Sequence, residues 1–305
     1  MRLQLLVLSG CLVGLPAPAA AEDVTVLAPS SKWVLDYGRE RCRMGRFFGE
    51  GDERTVLFFE QYAPDSELRW IVAGAPLARL KNNADVAWRY GSEGAWHEMT
   101  ARGMTLGEYG TALSSDGEIA IERNDRPEPE FDQASDMLGL PVLDPESVAG
   151  ASSLEIKSRR TGSIVLQTGD LPPAFEAMNT CMRDLVSFWG LDPDRQAARA
   201  KGPELTNLPL ITKMLQEDYP SRALREGEQA DLQLRAMIDA DGGVTECVLT
   251  NMTTAENFGQ EPCRKISTRA IFEPAFDRDG QPMPSYYTTR IRYTIRSGPA
   301  YAWPN

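Results

Sequence analysis

Five cysteines, a single histidine and a row of tyrosines and arginines near the C-terminus are the residues of this 305-residue chain best suited to chemistry. Cys42, Cys181, Cys247 and Cys263 lie beyond the first 21 residues. An even number of thiols in an exported chain is read as disulfides, and four cysteines leave three pairings open. Their spacing matches no zinc pattern. With His97 the only histidine, a His-based metal site within one chain is excluded, and any Ser-His-Asp or Cys-His arrangement would need His97 itself. No Gly-x-Ser-x-Gly elbow and no Gly-rich phosphate loop is present. Glu128 and Glu130, set between prolines, read as solvated carboxylates. No catalytic residue, metal or cofactor is therefore expected. An enzyme site in the N-terminal part stays as an alternative without a constellation to support it.

The remaining chemistry is that of the main chain. From Ser285 to Ile295, Tyr286, Thr288, Arg290, Arg292 and Thr294 alternate with Tyr287, Thr289, Ile291, Tyr293 and Ile295, the pattern of a long strand. At a sheet edge such a strand offers unpaired amides and carbonyls to an extended peptide, unless Arg290 and Arg292 serve only to discourage pairing. Other elements must position it. Leu232, Leu234, Ala236 and Ile238 alternate with Gln233, Arg235, Met237 and Asp239, giving a second strand with one apolar face. Asp241-Gly242 predicts a two-residue hairpin turn. The next strand directs Cys247 and Leu249 one way, toward a helical segment carrying Cys263, Ile266 and Ala270.

The order of these parts, YPSRALREGEQADLQLRAMIDADGGVTECVL followed by RAIFEPAFDRDGQPMPSYYTTRIRYTI, resembles the C-terminal domain of TonB, the periplasmic energy transducer that docks onto outer-membrane transporters. The resemblance covers about residues 207–297. It implies a three-stranded antiparallel sheet with two short helices. It also implies that a periplasmic or outer-membrane protein segment, such as that of a TonB-dependent transporter, adds as a strand to the last strand. On that basis the partner-binding residues are Tyr219, Pro220, Tyr287, Thr289, Ile291, Arg292 and Tyr293. Because Cys247 and Cys263 both fall inside the TonB-like segment, the pairing it implies is Cys42–Cys181 and Cys247–Cys263. The chain departs from the family at Ala230, where a glycine is common. It also has a strand-rich N-terminal part and a short linker where TonB has a long Pro-rich span.

The N-terminus bears on the compartment. Arg2, the apolar run Leu3–Leu15 and a small-residue end before Glu22 read as a cleavable secretory signal over residues 1–21, which predicts a periplasmic protein. Two alternatives stay open: a lipoprotein signal at Leu8-Ser9-Gly10-Cys11, and an uncleaved anchor, which would make the chain a TonB-type transducer. Cleavage would remove Arg2 and move the net charge from −12 to −13, a balance that argues against nucleic acid or anionic lipid as partner.

Between the signal and the TonB-like segment, residues 22–191 predict a strand-rich domain closed by one helix, so the whole reads as α+β. Strands are expected at 33–37, 43–48, 55–61, 68–73 and 86–90, with a hairpin over 153–168 turning at Thr161-Gly162. The Pro- and acid-rich stretch 124–151 reads as an exposed loop. A helix follows, opened by Asp170 as its cap and by Pro172-Pro173, ended by Gly190, with an apolar stripe of Phe175, Met178, Met182, Leu185 and Trp189. Residues 192–206 are the expected linker, and 298–305 a tail.

Overall fold

The computed structural model describes residues 24–66, 68–80, 85–100, 102–114, 140–158, 162–228, 230–251 and 256–293. The expected signal, residues 124–139 of the acidic loop, the turn at Thr161 and the tail lie outside them, as do Thr294 and Ile295. The N-terminal strands are β1 (Val24–Leu27), β2 (Val34–Tyr37), β3 (Cys42–Phe48), β4 (Thr55–Gln61), β5 (Arg69–Gly74), β6 (Asp85–Tyr90), β7 (His97–Thr100), β8 (Arg102–Thr105), β9 (Thr111–Ser114), β10 (Leu154–Ser158) and β11 (Gly162–Leu166). Then come α1 (Pro172–Phe188), α2 (Pro193–Ala197), β12 (Glu204–Leu205), α3 (Leu208–Glu217), α4 (Ser221–Glu226), β13 (Ala230–Ile238), β14 (Val244–Asn251) and α5 (Glu261–Arg269). The described residues close with β15 (Phe272–Glu273), β16 (Ala275–Phe276), β17 (Pro282–Met283) and β18 (Ser285–Tyr293).

The fold is α+β. Among the described residues the N-terminal strands form a five-stranded sheet, β1-β11-β10-β6-β7, and a six-stranded sheet, β2-β3-β4-β5-β9-β8. One core takes side chains from both, among them Phe59, Trp70, Val72 and Leu113 from one sheet and Trp88, Ile156 and Leu166 from the other. Each fully buried side chain of this kind contributes about 1.5–3 kcal/mol. Helix α1 closes that core with the expected stripe. Phe175 meets Phe59 edge to face, and Met178, Met182 and Leu185 are buried. Its cap differs from expectation: Leu171, not Asp170, is the N-cap, and no side chain caps the helix. Pro172 and Pro173 carry no N–H, and the next two amides, Ala174 and Phe175, both donate to the Leu171 carbonyl. Little is left for a carboxylate to accept.

Residues 140–151, expected to be exposed loop, are held down instead. Leu143 and Val148 are buried, and the Asn179 side chain exchanges two hydrogen bonds with the Leu143 main chain, at 2.9 and 2.8 Å.

In the C-terminal domain the sheet order is β14-β13-β18, all antiparallel. Leu234, Ala236 and Ile238 pack with Ile211, Cys263 and Ile266 from α3 and α5, as the alternation predicts. Among the described residues three short helices stand where two are expected, because Ser221–Glu226 forms α4. The β13–β14 turn is also longer than predicted: Asp239 N–H donates to the Gly243 carbonyl at 2.9 Å, closing a three-residue loop. Gly242 has φ +84° there, and a Cβ would lie 2.3 Å from the Phe272 carbonyl oxygen. Both disulfides, Cys42–Cys181 and Cys247–Cys263, are formed, with Cα separations of 6.2 and 5.5 Å.

Since Cys42–Cys181 closes a 139-residue separation, replacing both cysteines by alanine should cost about 2–5 kcal/mol. Denaturant unfolding measures this, and unreduced peptide mapping should recover only the two pairings above.

Candidate functional site

The register of β18 against β13 decides what each expected site residue faces. Leu232 pairs with Ile291, Leu234 with Thr289 and Ala236 with Tyr287, so these side chains share the apolar face of β13. Tyr287 and Ile291 pack against the domain core, with the Tyr287 ring 5.1 Å from Phe272. Tyr293 belongs to the same row but joins an aromatic cluster, its ring 5.4 Å from Tyr219 and 5.0 Å from Phe258. Tyr219 is fixed there by a hydrogen bond from its hydroxyl to the Glu228 carbonyl. Pro220 opens α4 as its N-cap. Ala230, buried opposite Tyr293, fills the floor of this cluster. Of the seven residues, Tyr219 and Tyr293 meet directly, while Tyr287, Thr289 and Ile291 line one face and Arg292 projects from the other.

On that other face Arg292 is exposed and Arg290 makes a two-pronged ion pair with buried Asp231. The Arg292 Nε is 3.8 Å from the same carboxylate. Farther along, this face turns from polar surface into a domain contact. Arg235, 5% exposed, pairs with Glu40 of the β2–β3 turn at 2.9 Å and with Glu246 at 3.2 Å. Its guanidinium lies 4.6 Å from the centre of the Trp189 ring. Trp189 also meets Tyr286 edge to face at 5.2 Å and donates to the Arg39 carbonyl at 3.3 Å. Val186, Leu191, Met237, Ala63 and Leu140 complete the seam. Sequence pattern marks Arg235 as an outward residue of a half-buried strand; the structure buries it because a second domain occupies that face.

Residues 192–206, the expected linker, contain α2 and β12 and are bound to the C-terminal domain. Asp192 caps α2 by accepting from the amides of Asp194 and Arg195. Gln196 is buried; its amide donates to the Pro284 carbonyl at 2.8 Å and its oxygen accepts from the Ser285 hydroxyl at 2.7 Å. Arg199 donates to the same hydroxyl and sits 5.5 Å from the Tyr286 ring centre. Ala200 donates to Phe276, and β12 pairs with β15. Sequence reasoning missed Phe258, Asp231, Gln196 and Arg199. Only Asp231, an acid facing a strand with two arginines, left a readable signal.

What the site offers is main chain. Among the described residues β18 is the end strand of its sheet, with β13 on one side and no strand on the other. Residues 216–295 match the family described as Gram-negative bacterial TonB protein C-terminal. The C-terminal domain is a TonB C-terminal domain. No curated protein matches the chain. Within the TonB domain, burial pushes the Tyr286 and Tyr293 phenols up to about 12. Among the described residues no group of His, Cys, Asp or Glu is arranged to hold a metal, and no helix is long and apolar enough to cross a membrane. His97 stacks on Trp88 at 4.7 Å.

Two outcomes follow from the seam. Arg235→Ala should cost about 2–3 kcal/mol in denaturant unfolding, less than breaking a fully buried pair because Glu40 and Glu246 keep access to water. A buried tyrosine whose pKa is raised adds stability below pH 10 that disappears as pH climbs toward 12. Unfolding measured across that window should therefore show a loss that Tyr286→Phe reduces.

Proposed function

We propose that this is a periplasmic TonB-like protein that binds an extended segment of an envelope protein by adding it as a strand to β18. The partner class the family implies is an outer-membrane transporter of TonB-dependent uptake. One observation carries the reading: β18 is a nine-residue end strand whose inward side chains are already committed to the core. Its main chain is what remains for a partner, and strand addition is driven by main-chain hydrogen bonds, with side-chain pockets tuning the choice. Tyr287, Thr289 and Ile291 act by holding the strand flat against its core, Arg292 by flanking the paired strand, and Tyr219, Pro220 and Tyr293 by shaping its far end. The N-terminal domain, spanning about residues 22–191, holds the TonB domain in a fixed orientation through Arg235 and Trp189. Segment 192–206 joins the two. A signal at 1–21 that is cleaved delivers the chain to the periplasm.

Neighbouring residues in a strand send their amides to opposite sides, so Thr288→Pro and Thr289→Pro separate the two edges of β18. One proline removes a ladder bond to β13 and should lower the melting temperature by several degrees, about 4 °C or more. The other should leave melting unchanged and abolish crosslinked capture of the partner from a periplasmic extract. A folded variant of each kind that retains full capture overturns strand addition.

A further inference from the structure

The edge of β18 is not open along its whole length. Ser285 and Tyr286 are successive strand residues, so their side chains point to opposite faces of the sheet. Arg199 nevertheless touches both, donating to the Ser285 hydroxyl at 3.2 Å and lying over the Tyr286 ring. With β13 on one edge, a single side chain can do this only by crossing the other edge of the strand or passing around its beginning. Gln196, one turn earlier, takes the Pro284 carbonyl, the main-chain acceptor immediately before β18. The C-terminal end of α2 is thus wrapped around the start of the strand that would receive a partner.

This hold is itself anchored. Asp192 caps α2, and Asp194 at its first turn pairs with Arg183 of α1 at 2.7 Å. That exposed pair contributes little. The stronger fixation is burial: Gln196 and Ser285 are 1% and 0% exposed and hydrogen-bonded to each other. A buried polar network of this sort is costly to break, because a group that loses its partner there is left without water to replace it.

We infer that α2 is a register stop: Gln196 and Arg199 close the first two residues of β18 and confine an added strand to Tyr287 and beyond. The inference rests on the reading that β18 is the pairing edge. It adds that the register of pairing is set by the segment joining the domains, and not by the TonB domain alone. The partner it fits is an extended peptide stretch whose paired part ends opposite Tyr287. Beyond that point the partner chain must turn away from the sheet, because α2 occupies the path along the strand. Since side chains alternate, a shift of one residue would exchange which partner side chains face the Tyr219–Tyr293 cluster and which face Arg290 and Arg292. A fixed stop therefore converts sequence-independent main-chain pairing into selection by side chain.

The test uses the whole chain and a displayed library of random peptides of about twelve residues, longer than the open edge. The bound peptides are read by amide exchange in β18. The expected result is slowing of about tenfold or more at alternate amides within Tyr287–Tyr293, with Ser285 and Tyr286 unchanged. In Gln196→Ala with Arg199→Ala the protected run should extend back to Ser285 or Tyr286. Protection that already reaches Ser285 or Tyr286 in the unaltered protein overturns the stop while leaving strand addition intact. Selected peptides that protect no β18 amide overturn strand addition and the stop together. Should the double variant fail to fold, the footprint on the unaltered protein still decides.

Discussion

Arg235 sits in the seam between the domains at 5% exposure, a depth at which a guanidinium is costly unless its carboxylate partners stay in place. Glu40 from the N-terminal domain and Glu246 from β14 meet that requirement, and the Trp189 face adds a cation–π contact. The orientation of the C-terminal sheet follows from this. Its apolar face is covered by α3 and α5, and the Ile238 end of its other face is covered by the tail of α1. With the apolar face and the Ile238 end of the other face committed in this way, the sheet has its edges and the polar surface around Arg290 and Arg292 left to offer. The same residue that ties the domains together thus narrows how the TonB domain can meet anything else.

That arrangement differs from a binding domain swinging on a long tether. Gln196, Arg199 and β12 join the connecting segment to the C-terminal domain, while Asp194 ties it to α1. Motion of the edge strand relative to the N-terminal domain would require opening the Trp189–Tyr286 contact and the Arg235–Glu40 ion pair together. In the reading proposed here, the N-terminal domain positions the edge.

Much of this was legible in the residues. The period-two pattern of β13 marked its buried face, the spacing in α1 marked the stripe that closes the N-terminal core, and the position of Cys247 and Cys263 within one TonB-like segment led to the right disulfides. Two of the failures share a physical cause. A period reports which side of an element is apolar, but Arg235 is buried by a second domain and compensated by Glu40, a residue 195 positions away. Polar composition around 192–206 likewise suggested a loose linker, yet Gln196 is satisfied by Pro284 and Ser285 and so can be buried. The Asp170 cap was misplaced because two prolines leave α1 few amides to cap. The outward side of β18 was readable only as a pattern of residue types; its register, and hence which tyrosines face the core, came from the pairing with β13.

In the reading proposed here, a partner is met along the β18 edge and not along β14, the other end strand of the same sheet. A photoreactive amino acid placed at Thr288 of β18, and separately at Thr245 of β14, distinguishes the two in the intact cell envelope. The expected result is a discrete crosslinked partner from position 288, mapped by mass spectrometry to an extended segment, and none from position 245. Crosslinks arising from position 245 alone, or equally from both positions, would contradict it.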